Sequence, residues 1–81
     1  MSEKITREFQ LEFPKNLVKD PVISNAVKKF DLVANIRRAD VTANGGWMIL
    51  ALDGAPEVLD AAEKYFAECG VKVSPAGANL N

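Results

Sequence analysis

The chain has 81 residues, 48% of them hydrophobic and 26% charged, with a formal net charge of −1. This length predicts one domain with a thin margin of stability, which self-association would widen. The near-neutral charge argues against nucleic acid as the main partner, because phosphate binding needs a concentrated basic face. The basic pairs Lys28–Lys29 and Arg37–Arg38 are interpreted as solvated surface. No segment is apolar enough to predict insertion into a membrane.

The residue types that usually carry chemistry are scarce. The chain has no histidine and one cysteine, Cys69, which alone forms no internal disulfide and holds neither zinc nor an iron–sulfur cluster. The three serines have no evident base beside them. We therefore expect no enzyme activity, no metal and no cofactor. The sequence near Met1 shows no apolar secretion signal, so the cytoplasm is the expected location.

The first part of the chain predicts a strand, a loop and a helix. Apolar and polar residues alternate over residues 5–13, the period of a half-buried strand, and Pro14 ends it. Asp20 is suited to cap a helix whose first position is Pro21. An apolar stripe follows at helical spacing, made of Ile23, Ala26, Val27 and Phe30.

Residues 31–52 predict a β-hairpin with its turn at Asn44–Gly45. Apolar residues occupy even positions up to Ile36 and odd positions from Ala39, a slip that predicts a β-bulge near Arg37 or Arg38. The second strand, 47–53, begins with six residues that include no polar side chain. Because strand side chains alternate between faces, both faces of this strand need cover.

The last part predicts a helix that begins after Gly54-Ala55-Pro56 and ends at Gly70, which suits the left-handed C′ position. Its core stripe includes Cys69, interpreted as packing rather than a reactive thiol. Val71–Val73 is predicted as a short last strand. The domain is expected to span residues 1–73, with a flexible tail over 74–81.

The order βαββαβ predicts an α+β, ferredoxin-like sandwich, a four-stranded antiparallel sheet with two helices on one face. One parity of the third strand must then lie on the helix-free face, either Trp47, Ile49 and Ala51 or Met48, Leu50 and Leu52. We expect an apolar patch there, covered in a homodimer or by another partner or ligand; a sheet edge is the alternative dimer interface.

Several short segments, in this order and spacing, resemble the NIL domain family, which is related to the ACT fold. They cover residues 5–73: Phe13-Pro14, Asp20-Pro21-Val22-Ile23-Ser24, Phe30-Asp31, Ala34-Asn35-Ile36, Gly45-Gly46-Trp47-Met48, Leu52-Asp53-Gly54 and Gly70-Val71-Lys72-Val73. The Asn-Ile-Leu signature of the family reads Asn35-Ile36-Arg37 here, a departure at its third position.

The resemblance implies a small regulatory domain. NIL domains occur in the ATPase subunits of methionine ABC importers, where they bind methionine at a dimer interface, and at the N-terminus of ferredoxins linked to sulfur incorporation. This chain contains neither a P-loop nor a Cys-rich segment. It is therefore expected to be either free-standing or one domain of a ferredoxin-type parent, with its start favouring an N-terminal position.

The resemblance also implies a ligand site, with Asn35 binding the charged groups of an amino acid and Trp47 or Met48 covering its side chain. The residues assigned to that site are Asn35, Ile36, Pro21, Val22, Gly46, Trp47 and Met48. Each of these roles has an alternative. Asn35 could form a hydrogen bond at an interface, and Gly46 could serve the turn. Trp47 and Met48 could simply pack in an interface.

Two functional hypotheses follow. In the first, the domain binds methionine or a related sulfur amino acid at a homodimer interface and regulates a transporter-type or ferredoxin partner. In the second, it binds no ligand and docks on a ferredoxin or a sulfur-transfer enzyme as an interaction module.

Overall fold

A computed structural model describes residues 3–18 and 20–76. Its strands form one antiparallel sheet in the order β2-β3-β1-β4, and residues of both helices pack into one core with one side of that sheet. The predicted ferredoxin-like fold is thereby confirmed. The elements are β1 (Ile5–Phe13), a 3-10 turn (Lys15–Leu17), α1 (Val22–Phe30), β2 (Val33–Thr42), β3 (Gly45–Gly54), α2 (Pro56–Cys69) and β4 (Lys72–Pro75).

The core lies between the helices and the two central strands, β1 and β3. Leu50 of β3 is paired with Phe9 of β1, and both side chains are almost fully buried. Ala26 of α1 and Ala62 of α2 are fully buried, small residues that let the two helices pack closely on the sheet. The largest buried side chains are Phe9, Leu11, Leu50, Leu52, Leu59 and Phe66.

The open face of the sheet, the one without helices, carries the odd-numbered residues of β3. Ile49 and Ala51 lie there, yet they are only 7% and 3% exposed. Gln10 and Arg38 of the flanking strands stand opposite Ile49, and Glu8 and Asn35 stand opposite Ala51. The ion pair between Glu8 and Arg37, 3.3 Å, joins the two flanking strands across β3. One apolar set of β3 does lie on this face, as expected, but Ile49 and Ala51 are already buried within the chain, so the expectation that they need a partner to cover them is wrong. Only Trp47 remains partly exposed among these β3 residues, at the hairpin end.

The exposed apolar side chains lie mainly on β2, the edge strand. All ten of its residues are exposed. Val33, Ile36 and Val41 are 59%, 55% and 42% exposed, and Ile5 is the other large exposed hydrophobic residue of the described chain. The edge strand, with Ile36 and Val41 on its helix-covered side and Val33 on its open side, thus carries the apolar surface that a partner could cover.

The predicted bulge is confirmed in β2. Ile36 is paired with Leu50 and Arg38 with Ile49, so Arg37 is the extra residue. The insertion keeps Ile36 and Ala39 on the helix-covered side although they are three positions apart, which accounts for the slip in the apolar phase.

Three boundaries of helices, loops and strands in the structure differ from the predicted ones. Pro21 is the N-cap of α1 rather than its first residue, because a tight turn, with Pro21 at φ −81° and ψ 56°, directs the amide of Val22 to the carbonyl of Asp20 at 2.9 Å. The hairpin loop is Ala43–Asn44, and Gly45, at φ +126°, follows it.

The end of the sheet also differs from the predicted boundary. β4 continues to Pro75, and the amide of Ala76 donates to the carbonyl of Glu8 at 3.1 Å, so the first residues of the predicted tail belong to the sheet. The remainder of that tail, 77–81, lies outside the described residues.

The bulge predicts that β2 tolerates the deletion of one residue. Deleting Arg37 leaves Ile36 and Ala39 on the side they already occupy, so we expect the variant to fold with a free energy of unfolding within about 1 kcal/mol of the wild type, the worth of the lost surface ion pair. Deleting Ala34, the matched control, turns part of the strand over and should cost more. Urea titrations measure both. Equal losses for the two deletions would contradict the register.

Candidate functional site

A groove of about 140 Å³ lies between the start of α1 and the hairpin end of the sheet. One side is the chain from the 3-10 turn into α1, and the other is formed by residues of β1, β2 and β3. Its apolar wall consists of Phe13, Leu17, Val18, Val22, Val41 and Met48. Met48 faces the helices because it alternates with Trp47, and it is partly buried against the core.

The start of α1 gives this groove free hydrogen-bond donors. The amide of Val22 donates to Asp20, and that of Asn25 begins the helical ladder by donating to the carbonyl of Pro21 at 2.9 Å. The amides of Ile23 and Ser24 lie between them and have no hydrogen-bond acceptor among residues 3–18 and 20–76. Both residues line the groove. The positive end of the helix dipole thus lies at its rim, where it favours an anion.

Asp20 supplies the opposite charge at the same rim. Its side chain is exposed, and it forms no ion pair within residues 3–18 and 20–76. A carboxylate and free helix amides within one small apolar groove can bind both ends of a zwitterion while the apolar wall takes a side chain.

The structure brings together part of the predicted site. Pro21, Val22 and Met48 line the groove. Gly46 and Trp47 instead line a wider, more open depression of about 600 Å³ at the hairpin end of the open face, with Glu12 and Lys72 beside them. Their assignment to the same site as Met48 is not supported, because alternation places Trp47 on the other face of the sheet.

Asn35 and Ile36 lie on β2 at neither depression. Asn35 is paired with Ala51 and points to the open face, whereas Ile36 is on the helix-covered side, separated from Val41 along the strand by the bulge. Within a single chain, neither residue reaches the groove.

Sequence reasoning missed Val41 and the polar contribution of Asp20. The alternation of residues 39 and 41 after the bulge places Val41 on the same side as Met48, a signal that would have identified it. The sequence predicts Asp20 as a helix cap at the start of α1, beside the expected ligand site, but its side chain does not cap the helix.

Gly46 has a structural reason to be glycine. A Cβ atom there would lie 2.5 Å from the carbonyl oxygen of Asp40 and 2.6 Å from the Cα of Val41, on the neighbouring strand. The backbone of β2 therefore fills the space that a side chain would need, which supports the structural interpretation of this glycine over a ligand-binding one.

Other kinds of site are not formed by the described residues. Within residues 3–18 and 20–76 there is no group of three or more histidine, cysteine, aspartate or glutamate side chains that could hold a metal ion. In that same part of the chain, no helix has both the length and the apolar character needed to cross a membrane.

Comparison with known proteins agrees with the fold and supplies a family. The NIL domain family matches residues 7–75. The methionine import ATP-binding proteins MetN of Lactococcus lactis subsp. cremoris (strain NZ9000) and subsp. lactis (strain IL1403) are each 34% identical over 71 residues, which is 83% of this chain and 19% of theirs. The chain thus spans about a fifth of the length of these curated relatives.

A solved structure has the same fold. The C-terminal domain of an ABC transporter ATP-binding protein from Enterococcus faecalis superposes with a TM-score of 0.79 over 88% of this chain and 83% of that one, at 20% identity. The family match over residues 7–75 means that the chain belongs to the NIL domain family.

The contacts of Gly46 predict that its replacement is a stability defect. Gly46→Ala forces β2 and β3 apart, and we expect a loss of about 1–3 kcal/mol in the free energy of unfolding. Asn44→Ala, in the exposed loop two residues away, is the control and should cost less. Thermal or urea unfolding compares the two. A Gly46→Ala variant as stable as the wild type would mean that the close approach is relieved easily.

Proposed function

We propose that this NIL domain is a cytoplasmic regulatory module that binds methionine, or a related sulfur amino acid, in the groove at the start of α1 and works as a homodimer. The observation that carries the proposal is the composition of the groove. Free helix amides, one carboxylate and an apolar wall lie within the same small space.

The polar rim suits the backbone of a free amino acid. A ligand carboxylate would accept hydrogen bonds from the amides of Ile23 and Ser24, at the positive end of α1. The ligand ammonium would pair with Asp20, which has no ion-pair partner among the described residues.

The apolar wall suits a thioether side chain. Phe13, Leu17 and Val41 offer hydrocarbon surface, and Met48 adds a flexible, polarisable side chain that adapts its shape to a ligand. Sulfur also packs favourably against an aromatic ring such as that of Phe13. The volume of about 140 Å³ favours a small ligand over a nucleotide-sized one.

The relatives support this ligand class and indicate a kind of partner. They are named as ATP-binding proteins of methionine import, and the solved neighbour is the C-terminal domain of an ABC transporter ATP-binding protein. We propose that the domain acts on a protein of that transporter type or on a ferredoxin. The ligand would favour one dimer geometry, and the partner would respond to that geometry.

Calorimetry with a ligand series tests the proposal. Methionine should bind with a dissociation constant in the micromolar to millimolar range. Norleucine, which keeps the shape without sulfur, should bind several-fold more weakly, since a sulfur–aromatic contact is worth about 0.3–1.5 kcal/mol. N-acetylmethionine, which lacks the ammonium group, and glutamate, which lacks an apolar end, should bind poorly.

Two matched variants locate the site. Asp20→Ala should weaken methionine binding roughly tenfold or more, because it removes a charged hydrogen-bond partner. Asn35→Ala, on the open face, should leave the affinity unchanged. If Asn35→Ala alone lost affinity for methionine, the ligand site would lie at Asn35 and not in the groove. The absence of any heat or chemical-shift change with amino acids at several millimolar would instead favour the ligand-free interaction module.

A further inference from the structure

We propose that the depression at the hairpin end of the open face binds a nucleoside monophosphate, with adenosine monophosphate as the first ligand to test. This site goes beyond the proposed function and is separate from the methionine groove, because Trp47 and Met48 alternate and lie on opposite faces of the sheet. Four side chains of the depression, and the order in which the sheet places three of them, support this assignment.

Three of these side chains form a row across the sheet. Glu12 of β1 is paired with Trp47 of β3 on one side and with Lys72 of β4 on the other. Directly paired residues share a face, so all three lie on the open face, with neighbouring strands about 4.8 Å apart. The row therefore presents an aromatic ring, a carboxylate and an ammonium group in that order.

This order matches the base, the ribose and the phosphate of a nucleotide. The indole ring of Trp47 offers an aromatic surface on which a base stacks. The carboxylate of Glu12 accepts hydrogen bonds from ribose hydroxyl groups, and the ammonium group of Lys72 pairs with a phosphate. Because the phosphate is attracted to Lys72 and repelled by Glu12, the ligand binds in one direction along the row.

The three side chains of the row are available to a ligand. Glu12 and Lys72 are exposed, and Trp47 is partly exposed. Neither of the two charged groups is in an ion pair within residues 3–18 and 20–76. The volume of the depression, about 600 Å³, lies in the range that is usual for sites of small molecules and cofactors.

The fourth side chain, Asn44, favours adenine among the bases. Asn44 is in the hairpin loop, three residues before Trp47, and it lines the same depression. Its side-chain amide is exposed and forms no hydrogen bond within the described residues. An asparagine amide has one acceptor and two donors, which match the N6 amino group and the N7 atom of adenine.

The charges of the site favour one free nucleotide with one phosphate group. Among the described residues that line the depression, Lys72 is the only basic one. A nucleic-acid strand needs a groove of basic groups along its backbone, and the chain has a net charge of −1. Further phosphate groups would add negative charge near Glu12 without a second cation to pair with them.

Intrinsic fluorescence tests the site directly, because Trp47 is the only tryptophan of the chain. Adenosine monophosphate should quench this fluorescence with a dissociation constant in the micromolar to millimolar range. Uridine monophosphate, which has a smaller ring and lacks the adenine edge, should bind several-fold more weakly. Ribose 5-phosphate, which has no base, should cause no quenching. A short oligoadenylate should bind no more tightly per nucleotide than the monophosphate does.

A charge-removing variant locates the phosphate. Lys72→Ala should weaken the binding of adenosine monophosphate several-fold in calorimetry and leave the affinity for adenosine, which has no phosphate, unchanged. In the wild type, high salt should reduce the difference in affinity between these two ligands. Lys64→Ala removes the same charge at an exposed position of α2 and should change neither affinity.

Two further variants locate the base and the ribose. Trp47→Ala should weaken the binding of adenosine monophosphate about tenfold or more in calorimetry, because the base loses its stacking surface. Glu12→Ala, at an exposed position, should abolish the preference for adenosine monophosphate over its 2′,3′-dideoxy analogue. If Trp47→Ala fails to fold by circular dichroism, the Glu12 and Lys72 variants still test the row.

Several outcomes would overturn the proposal. The absence of any fluorescence or heat change with adenosine monophosphate at several millimolar contradicts the site. Equal binding of ribose 5-phosphate and the nucleotide contradicts stacking on Trp47, and equal losses of adenosine and its monophosphate in Lys72→Ala contradict the order of the row. Asp20→Ala should leave nucleotide binding unchanged. A chain that binds the nucleotide but no methionine would therefore refute the proposed function and leave this site intact.

Discussion

The pairing of the two central strands determines the rest of the structure. β1 and β3 are in register from Ile5 opposite Gly54 to Phe13 opposite Gly46, so one parity of each strand enters the core. Burial of large side chains such as Phe9 and Leu50 contributes about 1.5–3 kcal/mol each relative to exposure, which makes a slip by one residue very costly. The same register places Met48 in the groove and Trp47 on the open face.

The distribution of the remaining apolar surface follows from this register. Ile49 and Ala51 on the open face are buried within the chain, between polar residues of the flanking strands that stand opposite them. β2 has a neighbour on one side only, so the same kind of cover is missing there and Ile36 and Val41 stay exposed. In so small a domain, this edge is where association gains the most.

Local signals in the sequence predicted the fold well, because each depends on residues close in the chain. The alternation in β1, the stripe of α1 and the phase slip at Arg37 were sufficient for the elements and the bulge. The candidate site was predicted only in part, because it depends on which parity of β3 faces the helices. An apolar run such as 47–52 contains no information on that choice. Trp47 and Met48, neighbours in sequence, therefore lie on opposite faces.

The position of the groove gives a physical reason for ligand and assembly to be coupled. Val41 belongs to both the groove wall and the exposed edge strand, so a partner that covered the edge would also change the surface that a ligand contacts in the groove. Coupling of this kind is reciprocal, and the factor by which the ligand tightens the dimer equals the factor by which the dimer tightens the ligand. Its size is limited by the contacts that exist in one state alone.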